Sequence, residues 1–350
     1  MTSDTPYANL TPDAVLHALQ ALGVFSDGRL LQLNSYENRV FQIGLEDAGY
    51  VIAKFYRAGR WTDAQILEEH AFAQELLNAE VPAVAPLPLM ADVSLDPDVR
   101  CVGQPATLGL LGDIRVAVTP RKGGRSPELE DPEVLERLGR FLARLHTVGA
   151  AKRFQHRGTL SVDNTGRAAR DWLVEHEVVT PDQRAVWLSV ADQALDLAQA
   201  AFDRIDGLKL RRLHGDCHVG NVLWTPEGPH FVDLDDACMG PAVQDLWMLL
   251  SGDARERQQQ LNALLAGYES FADFDWRELT LIEPLRTLRI IHHSAWLARR
   301  WSDPAFPAAF AWFGTSAYWS EQSQLLRQQI ELMQDSQSGR HAQDGDDADW

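Results

Sequence analysis

Cysteine is scarce in this 350-residue chain, which has Cys101, Cys217 and Cys238 and no Cys-x-x-Cys spacing. This usage argues against a disulfide framework and predicts a reducing compartment. The amino terminus also lacks the charged and apolar segments of a secretory signal. No apolar run reaches the roughly 18 residues that a membrane-spanning helix needs. We therefore expect a cytoplasmic protein.

Basic residues are in short supply as well. The chain has 32 Lys and Arg against 50 Asp and Glu, which gives a formal net charge of −18. Such a chain repels nucleic acid and anionic membranes unless its basic residues cluster, and only short pairs such as Arg211-Arg212 occur. We expect neither nucleic acid nor membrane as a partner, and we expect a monomer.

The apolar content, by contrast, is typical of a globular protein. Hydrophobic residues make up 45% of the chain, and its length favours two lobes over one. Strand-like patterns end near residue 119, and helical patterns begin after residue 125. We predict an α+β fold with a small N-lobe built on an antiparallel sheet at 1–119 and a linker at 120–125. A mainly helical C-lobe at 126–333 and a disordered acidic tail at 334–350 would follow.

A lysine stands inside the third predicted strand, at 50–56. Burying Lys54 there is costly unless it has a partner. The next helix begins with a Thr62-x-x-Gln65 capping box, and Glu69 lies on the apolar stripe of that helix. The pattern indicates an ion pair between Lys54 and Glu69. The alternative is that both are surface residues with partly buried stems.

Further along, a polar loop leads into a predicted hairpin. The loop reads His214-Gly215-Asp216-Cys217-His218-Val219-Gly220-Asn221, and Asp233-Leu234-Asp235-Asp236 follows the returning strand. The strands at 222–224 and 230–232 are separated by a Pro- and Gly-containing turn. Folding of the hairpin would bring Asn221 and Asp233 nearly opposite each other, on the order of 5 Å apart at the backbone.

The aspartates around this hairpin would repel one another without a counter-charge. A divalent cation relieves that conflict, and Mg²⁺ prefers oxygen ligands completed by substrate phosphates. A solvated acidic loop is the alternative, and it suits Asp236 better than Asp233 or Asp216. Zinc is a further alternative because Cys and His residues lie nearby, but their spacing fits no zinc template.

The His214-Gly215-Asp216 motif with Asn221, followed by Asp233-Leu234-Asp235, resembles the motifs of the aminoglycoside and choline phosphotransferase superfamily. Within that superfamily the chain is most similar to bacterial serine/threonine protein kinases of the stress response. The resemblance covers nearly the whole chain apart from the tail. It implies a two-lobed, protein-kinase-like fold that uses ATP and Mg²⁺.

The resemblance also implies roles for the residues of the hairpin region. Asp216 would be the catalytic base that accepts the proton of the substrate hydroxyl. Asn221 and Asp233 would hold Mg²⁺, with Asp233 also counted as catalytic, and Asp235 would assist a second metal ion.

On the N-lobe side, the resemblance assigns Lys54 to the α- and β-phosphates of ATP. Glu69 would hold Lys54, with Glu68 the less favoured partner. Ser35 would reach the phosphates from the turn between the first two strands. The adenine would contact the backbone of the linker between Thr119 and Lys122, which includes Arg121.

The chain departs from ordinary protein kinases in several ways. It has no Gly-x-Gly-x-x-Gly loop, His-Gly-Asp replaces His-Arg-Asp, and the segment after Asp235 is too short for a long activation loop. We expect an ATP- and Mg²⁺-dependent kinase of Ser and Thr hydroxyls on proteins, itself included. A small-molecule kinase of the aminoglycoside, choline or homoserine type is one alternative. An inactive ATP-binding scaffold is another, of a different class.

Overall fold

The computed structural model describes residues 7–338. The strands are β1 (Ser26–Leu33), β2 (Arg39–Leu45), β3 (Tyr50–Phe55), β4 (Arg100–Gly103), β5 (Ala106–Leu111), β6 (Ile114–Pro120), β7 (Arg211–Leu213), β8 (Val222–Thr225), β9 (Gly228–Phe231) and β10 (Cys238–Gly240). The α-helices are α1 (Pro12–Ala21), α2 (Asp63–Asn78), α3 (Pro132–Ala150), α4 (Ala168–Glu175), α5 (Pro181–Asp203), α6 (Val243–Trp247), α7 (Ala254–Glu269), α8 (Ile282–Arg299), α9 (Ala305–Ala309) and α10 (Ser316–Ser338). Short 3-10 or π-helical segments are Val162–Arg167, Val219–Asn221, Leu234–Asp236 and Trp276–Leu281.

A six-stranded sheet has the order β1–β2–β3–β6–β5–β4, and each neighbouring pair is antiparallel. This confirms the α+β class and the antiparallel sheet predicted for the first part of the chain. Strand β3 is central, and Lys54 pairs with Val40 on one side and Ala117 on the other. The ladder therefore fixes the backbone from which the Lys54 side chain extends.

Two helices pack near this sheet and begin at the caps expected from the sequence. Thr11 caps α1, with Pro12 in the first turn. Thr62 and Gln65 form both bonds of a capping box at the start of α2. Satisfying these backbone amides fixes where α2 starts, and hence which of its side chains face inward. Glu69 is one of the buried residues of α2.

The chain forms two compact units. The first consists of Met1–Arg157, Arg212–Cys238 and Met248–Asp273. Besides the sheet it contains α3 and α7. These two helices approach so closely that a Cβ at Gly139 or Gly267 would overlap backbone atoms of the facing helix, and glycine at both positions makes this approach possible. It also contains the hairpin β8–β9, so every residue of the candidate site lies in this unit.

The second unit consists of Gly158–Arg211, Met239–Trp247 and Phe274–Trp350. Its core is formed by α4, α5, α8 and α10, with Trp187 and Trp319 packed edge to face at 5.3 Å between ring centroids. Helix α10 continues to Ser338, five residues into the segment expected as a tail. The remainder of that prediction, at 339–350, lies outside the described residues, and the lobe boundaries at 119 and 125 stay predictions. Within residues 7–338, none of the helices has both the length and the apolar character needed to cross a membrane.

Candidate active site

The hairpin β8–β9 has two of the three residues expected to bind a metal, Asn221 and Asp233, at its open end. Val222 pairs with Phe231 in the first rung of the hairpin. Asn221 ends a 3-10 turn just before β8, and its carbonyl oxygen accepts a hydrogen bond from the Val232 amide at 3.0 Å. Asp233 follows Val232 directly. The hairpin thus brings Asn221 and Asp233 together, one residue away from the predicted register.

The loop before β8 holds the backbone of Asp216 from two sides. His214 is fully buried, and its Nε2 lies 2.9 Å from the Val232 carbonyl oxygen, which can only accept. The ring proton therefore sits on Nε2, and Nδ1 accepts from the Asp216 amide at 3.4 Å. Asn221 Nδ2 donates to the Asp216 carbonyl oxygen at 3.0 Å. Because this bond uses the amide nitrogen, the amide oxygen of Asn221 stays suited to a metal.

Gly215 is required by the packing of this loop. Its φ is +86°, and a Cβ at this position would overlap the carbonyl oxygen of Asp236. Only glycine meets both conditions without strain. This explains physically why the motif reads His-Gly-Asp. The next residue, Asp216, has its Oδ2 3.5 Å from His218 Nε2.

Asp233 takes a backbone conformation that non-glycine residues rarely adopt, with φ 59° and ψ 64°. Its side chain is 51% exposed, and Oδ1 meets the Lys54 ammonium at 3.0 Å. Lys54 Nζ also lies 3.6 Å from Asp235 Oδ1. Burial alone would lower the pKa of Lys54, but Asp233 and Asp235 hold that pKa well above its ordinary value. Lys54 is therefore a fixed cation beside the loop that carries Asp233 and Asp235.

Helix α2 points Glu69 toward Lys54 without making the predicted ion pair. Glu69 is buried, its Oε2 has no hydrogen-bond partner, and burial raises its pKa. In the described structure the direct partners of Lys54 are Asp233 and Asp235, and Glu69 acts on it only as a more distant charge. The predicted partner, Glu69, is therefore wrong, because the loop after β9 places Asp233 and Asp235 closer to the Lys54 ammonium.

Glu68, the less favoured partner in the sequence analysis, has a different function in the fold. Its carboxylate accepts hydrogen bonds from the backbone amides of Gln155, His156 and Arg157, the last two at 2.9 and 2.8 Å. Three donors to one carboxylate make a strong attachment. Glu68 therefore ties α2 to the segment that follows α3.

Asp235 is a buried carboxylate bound by the protein itself. Its Oδ2 accepts from Arg60 Nη1 at 2.6 Å and from Asn38 Nδ2 at 3.2 Å. Burial alone would raise the pKa of Asp235, but Lys54 and Arg60 lower it below its usual range. Asp235 is 3% exposed. One of its two oxygens is thus occupied by donors from the chain, and the other faces Lys54.

The remaining residues expected to contact ATP lie on or near the sheet. Ser35 is partly buried in the turn at 34–38, between β1 and β2. Thr119 lies near the end of β6. The Arg121 amide donates to the Tyr50 carbonyl oxygen at 3.4 Å, so the sheet already uses this linker donor. The nucleotide contacts of Ser35, Thr119 and Arg121 remain predictions.

Sequence reasoning missed two arginines that bind the loop after Asp233. Arg60 contacts the side chains of Asp235 and Asp236, and Arg157 donates to main-chain carbonyl oxygens of Asp235 and Ala237. The signal was the excess of aspartate in this loop, which demands counter-charges. The sequence does not say which distant arginines supply them.

The donor atoms at the end of the hairpin fit Mg²⁺. The amide oxygen of Asn221 and the carboxylate of Asp233 are hard oxygen donors, and two protein ligands leave positions for phosphate and water. Across residues 7–338, no three His, Cys, Asp or Glu side chains form a ready metal site. Asn221 and Asp233 would therefore hold the metal together with the phosphates of the nucleotide.

Comparisons with known proteins agree with this geometry. The model of the Phosphotransferase enzyme family matches residues 29–282. Stress response kinase A of Escherichia coli (strain K12) is 40% identical over 329 residues, which cover 94% of this chain and 95% of that protein. Serine/threonine protein kinase RdoA of Salmonella typhimurium is 40% identical over 327 residues, which cover 93% of this chain and 94% of that one.

Solved structures support the fold. The amicoumacin kinase hAmiN in complex with AMP-PNP, Ca²⁺ and Ami superposes with a TM-score of 0.69 at 19% identity, covering 91% of this chain and 92% of that one. A microcompartment-associated aminopropanol kinase gives a TM-score of 0.66 at 19% identity, covering 94% and 98%. At this identity the likeness establishes the protein-kinase-like fold alone. Together with the family match and the 40% identical relatives, it confirms the predicted resemblance: the chain belongs to the phosphotransferase enzyme family and is a kinase.

Proposed function

We propose that the protein is an ATP- and Mg²⁺-dependent serine/threonine protein kinase that also phosphorylates itself. The observation that carries this proposal is the convergence of Lys54, Asp216, Asn221 and Asp233 in one unit, with Lys54 3.0 Å from Asp233. An inactive scaffold would have no need to keep all four residues.

Phosphoryl transfer needs positioning and charge neutralisation more than covalent chemistry. Lys54 would release Asp233 and bind phosphate oxygens of ATP, while Asn221 and Asp233 would hold Mg²⁺. Bound Mg²⁺ would neutralise charge on the phosphates. Asp216 would orient the acceptor hydroxyl and take its proton, and the hydrogen bonds of His214 and Asn221 keep the Asp216 backbone in place.

The choice of a protein acceptor rests on the relatives. One is named a serine/threonine protein kinase and another a stress response kinase, each about 40% identical over nearly the whole chain. We extend the protein acceptor and a role in the stress response to this chain. The net charge of −18 favours basic acceptor segments. We further propose that the protein acts as a monomer in the cytoplasm.

The test is incubation of the purified chain with γ-labelled ATP and Mg²⁺. Parallel reactions would contain the kinase alone, a generic basic protein, or small acceptors such as amino alcohols, homoserine and aminoglycosides. Label on the kinase and on Ser or Thr of the basic protein supports the proposal. Label only on a small acceptor would replace it with a small-molecule kinase, and ATP binding without transfer to any acceptor would indicate a scaffold.

A further inference from the structure

The loop that follows Asp233 contains two acidic residues that the proposed reaction does not use. Asp235 is buried, whereas the Asp236 side chain is about half exposed. Arg60 lies across both: its Nη1 donates to Asp235 Oδ2 and its Nη2 to Asp236 Oδ1, each at 2.6 Å. The Arg60 side chain is only 12% exposed. One guanidinium thus spans two carboxylates next to the residue that would hold the metal.

The same guanidinium reaches the turn at 34–38, which stands where other kinases have a glycine-rich loop. Arg60 Nη1 lies 3.5 Å from Glu37 Oε2. Asn38 in that turn accepts from the Arg57 amide at 3.2 Å and donates to Asp235 Oδ2 at 3.2 Å. The turn and the loop after Asp233 therefore share one charged network, centred on Arg60 and Asp235.

A second arginine binds the main chain of the same loop. Arg157 is 5% exposed, and it donates to the carbonyl oxygens of Asp235 and Ala237. Both Arg60 and Arg157 lie against the ring of Trp61, at 5.1 and 4.5 Å from its centroid. The two guanidiniums hold complementary parts of the loop, one its carboxylates and the other its carbonyl groups.

This attachment matters because Asp233 has a left-handed backbone, which is unfavourable for an L-residue. Such a conformation persists only when its surroundings hold it. The residues that hold it lie immediately after Asp233, where Arg60 and Arg157 bind. The left-handed backbone of Asp233 is therefore held by the fixed position of residues 235–237.

We propose that Arg60 is a positioning residue for phosphoryl transfer. It holds Asp235 as an internal anchor, so that Asp233 faces the metal and the turn at 34–38 faces the phosphates. Asp235 is then not a metal ligand, in contrast to the role that the resemblance implies for it. This inference rests on the proposed use of ATP and Mg²⁺, but it is independent of the acceptor.

The test compares Arg60→Gln and Arg60→Lys with a control, Arg115→Gln. Arg115 pairs with Asp63 in the same unit, at the start of α2 and not in the charged network around Asp235. Three quantities are measured for each variant: the Mg²⁺ dependence of ATP turnover, Mn²⁺ binding in the presence of ADP by electron paramagnetic resonance, and the free energy of unfolding in urea. Loss of an outer-shell partner lowers metal affinity or activity about 10–100-fold.

We expect Arg60→Gln to raise the Mg²⁺ concentration for half-maximal turnover and weaken Mn²⁺·ADP binding by about 10-fold or more. Arg60→Lys keeps the charge but cannot span two carboxylates, so it should restore folding stability more fully than metal affinity. A merely structural arginine would leave the metal affinity of the folded fraction unchanged. Asp235→Asn should add little to Arg60→Gln in the double variant, because both remove one anchor.

Two results would overturn the role of Arg60. One is metal affinity and turnover of Arg60→Gln within about twofold of Arg115→Gln. The other is a loss of Mn²⁺ binding in Asp235→Asn that Arg60→Gln does not share, because it would make Asp235 a ligand. Failure of the wild-type chain itself to bind Mn²⁺·ADP or to turn over ATP would overturn the proposed function and this inference together. The wild-type measurements distinguish that outcome from a failure of the Arg60 role alone.

Discussion

The Lys54 ammonium lies 3.0 Å from the Asp233 carboxylate, so a residue assigned to phosphate and a residue assigned to metal neutralise each other. A phosphate that draws Lys54 away leaves Asp233 without its counter-charge, and a cation restores the balance. A cation that binds Asp233 alone must likewise displace Lys54. With the proposed roles of Lys54 and Asp233, the pair would favour entry of nucleotide and divalent metal together.

Replacement of Asp216 by Asn should abolish phosphoryl transfer and leave nucleotide binding intact. The amide cannot accept the hydroxyl proton, and loss of a general base lowers the rate by roughly 10²–10⁴-fold. Turnover is followed with labelled ATP and binding by titration with ADP and Mg²⁺. Asp47→Asn, in the exposed turn before β3, is the matched control and should behave as wild type. Retained transfer in Asp216→Asn would remove Asp216 as the base.

Replacement of Lys54 by Met should destabilise the folded protein in a pH-dependent way. Removal of one partner from a buried ion pair costs about 3–5 kcal/mol, because the other charge is left uncompensated. The pKa of Glu69 is already raised above its ordinary value of 4.5, and loss of the cation raises it further. A raised carboxyl pKa means that the folded state binds more protons, so stability increases as pH falls through that pKa.

The loss of unfolding free energy in Lys54→Met, relative to wild type, is called the deficit here. It should therefore shrink on acidification from about pH 8 towards about pH 5. Urea unfolding across this range, in wild type and variant, measures it. Lys122→Met, in the exposed linker, should show no deficit at any of these pH values. A deficit that stays constant or grows on acidification would mean that Glu69 and Asp235 do not depend on Lys54 for their charge.

The neighbouring glutamates of α2 should respond differently to mutation. Glu68→Ala removes three charge-assisted bonds to backbone amides and should lower the free energy of unfolding by about 2 kcal/mol or more. Glu69→Gln removes a buried charge without a direct ion pair, so the loss of stability should be small. Denaturant unfolding of both variants measures the difference. Equal losses would show that Glu69 has a direct partner in solution.

Replacement of Gly215 by Ala should lower the folding stability by more than the positive φ of Gly215 alone would cost. Its φ of +86° is unfavourable for any side chain, and the added Cβ also overlaps the Asp236 carbonyl oxygen. Gly49→Ala is the matched control, since Gly49 has φ +96° and no heavy atom within 4 Å of the added Cβ. The control should lose about 1 kcal/mol of folding stability. Gly215→Ala should lose more stability and most of its activity, and equal stability losses would argue against the close approach.

Local signals in the sequence were enough for several parts of the molecule. The capping box of Thr62 and Gln65 predicted the start of α2, and the apolar run around Lys54 predicted a third strand. The turn residues between β8 and β9 predicted the hairpin, and with it the proximity of Asn221 and Asp233. Each of these features depends on residues close in the chain, for which propensity and periodicity are informative.

The partners of the charged residues could not be predicted in the same way. Lys54 has carboxylates available on α2 and on the loop after β9, and the sequence pattern favoured Glu69 on α2. The choice of Asp233 depends on how far that loop projects toward the sheet, which no local pattern reports. The contact of Arg60 with Asp235 joins residues 175 positions apart, so it follows from the fold and not from spacing.

The short hairpin that presents Asn221 and Asp233 is covered along both edges. Trp224 in β8 forms an antiparallel bridge with Arg125 from the linker, and Phe231 in β9 forms a parallel bridge with Ala83. A two-stranded hairpin is marginally stable by itself, and one bridge on each edge adds backbone hydrogen bonds to it. The Trp224 amide donates to the Arg125 carbonyl oxygen at 2.7 Å, and the Phe231 amide donates to the Pro82 carbonyl oxygen at 2.8 Å. The hairpin should consequently open late during local unfolding of the first unit, because its outward-facing amides are bonded as well.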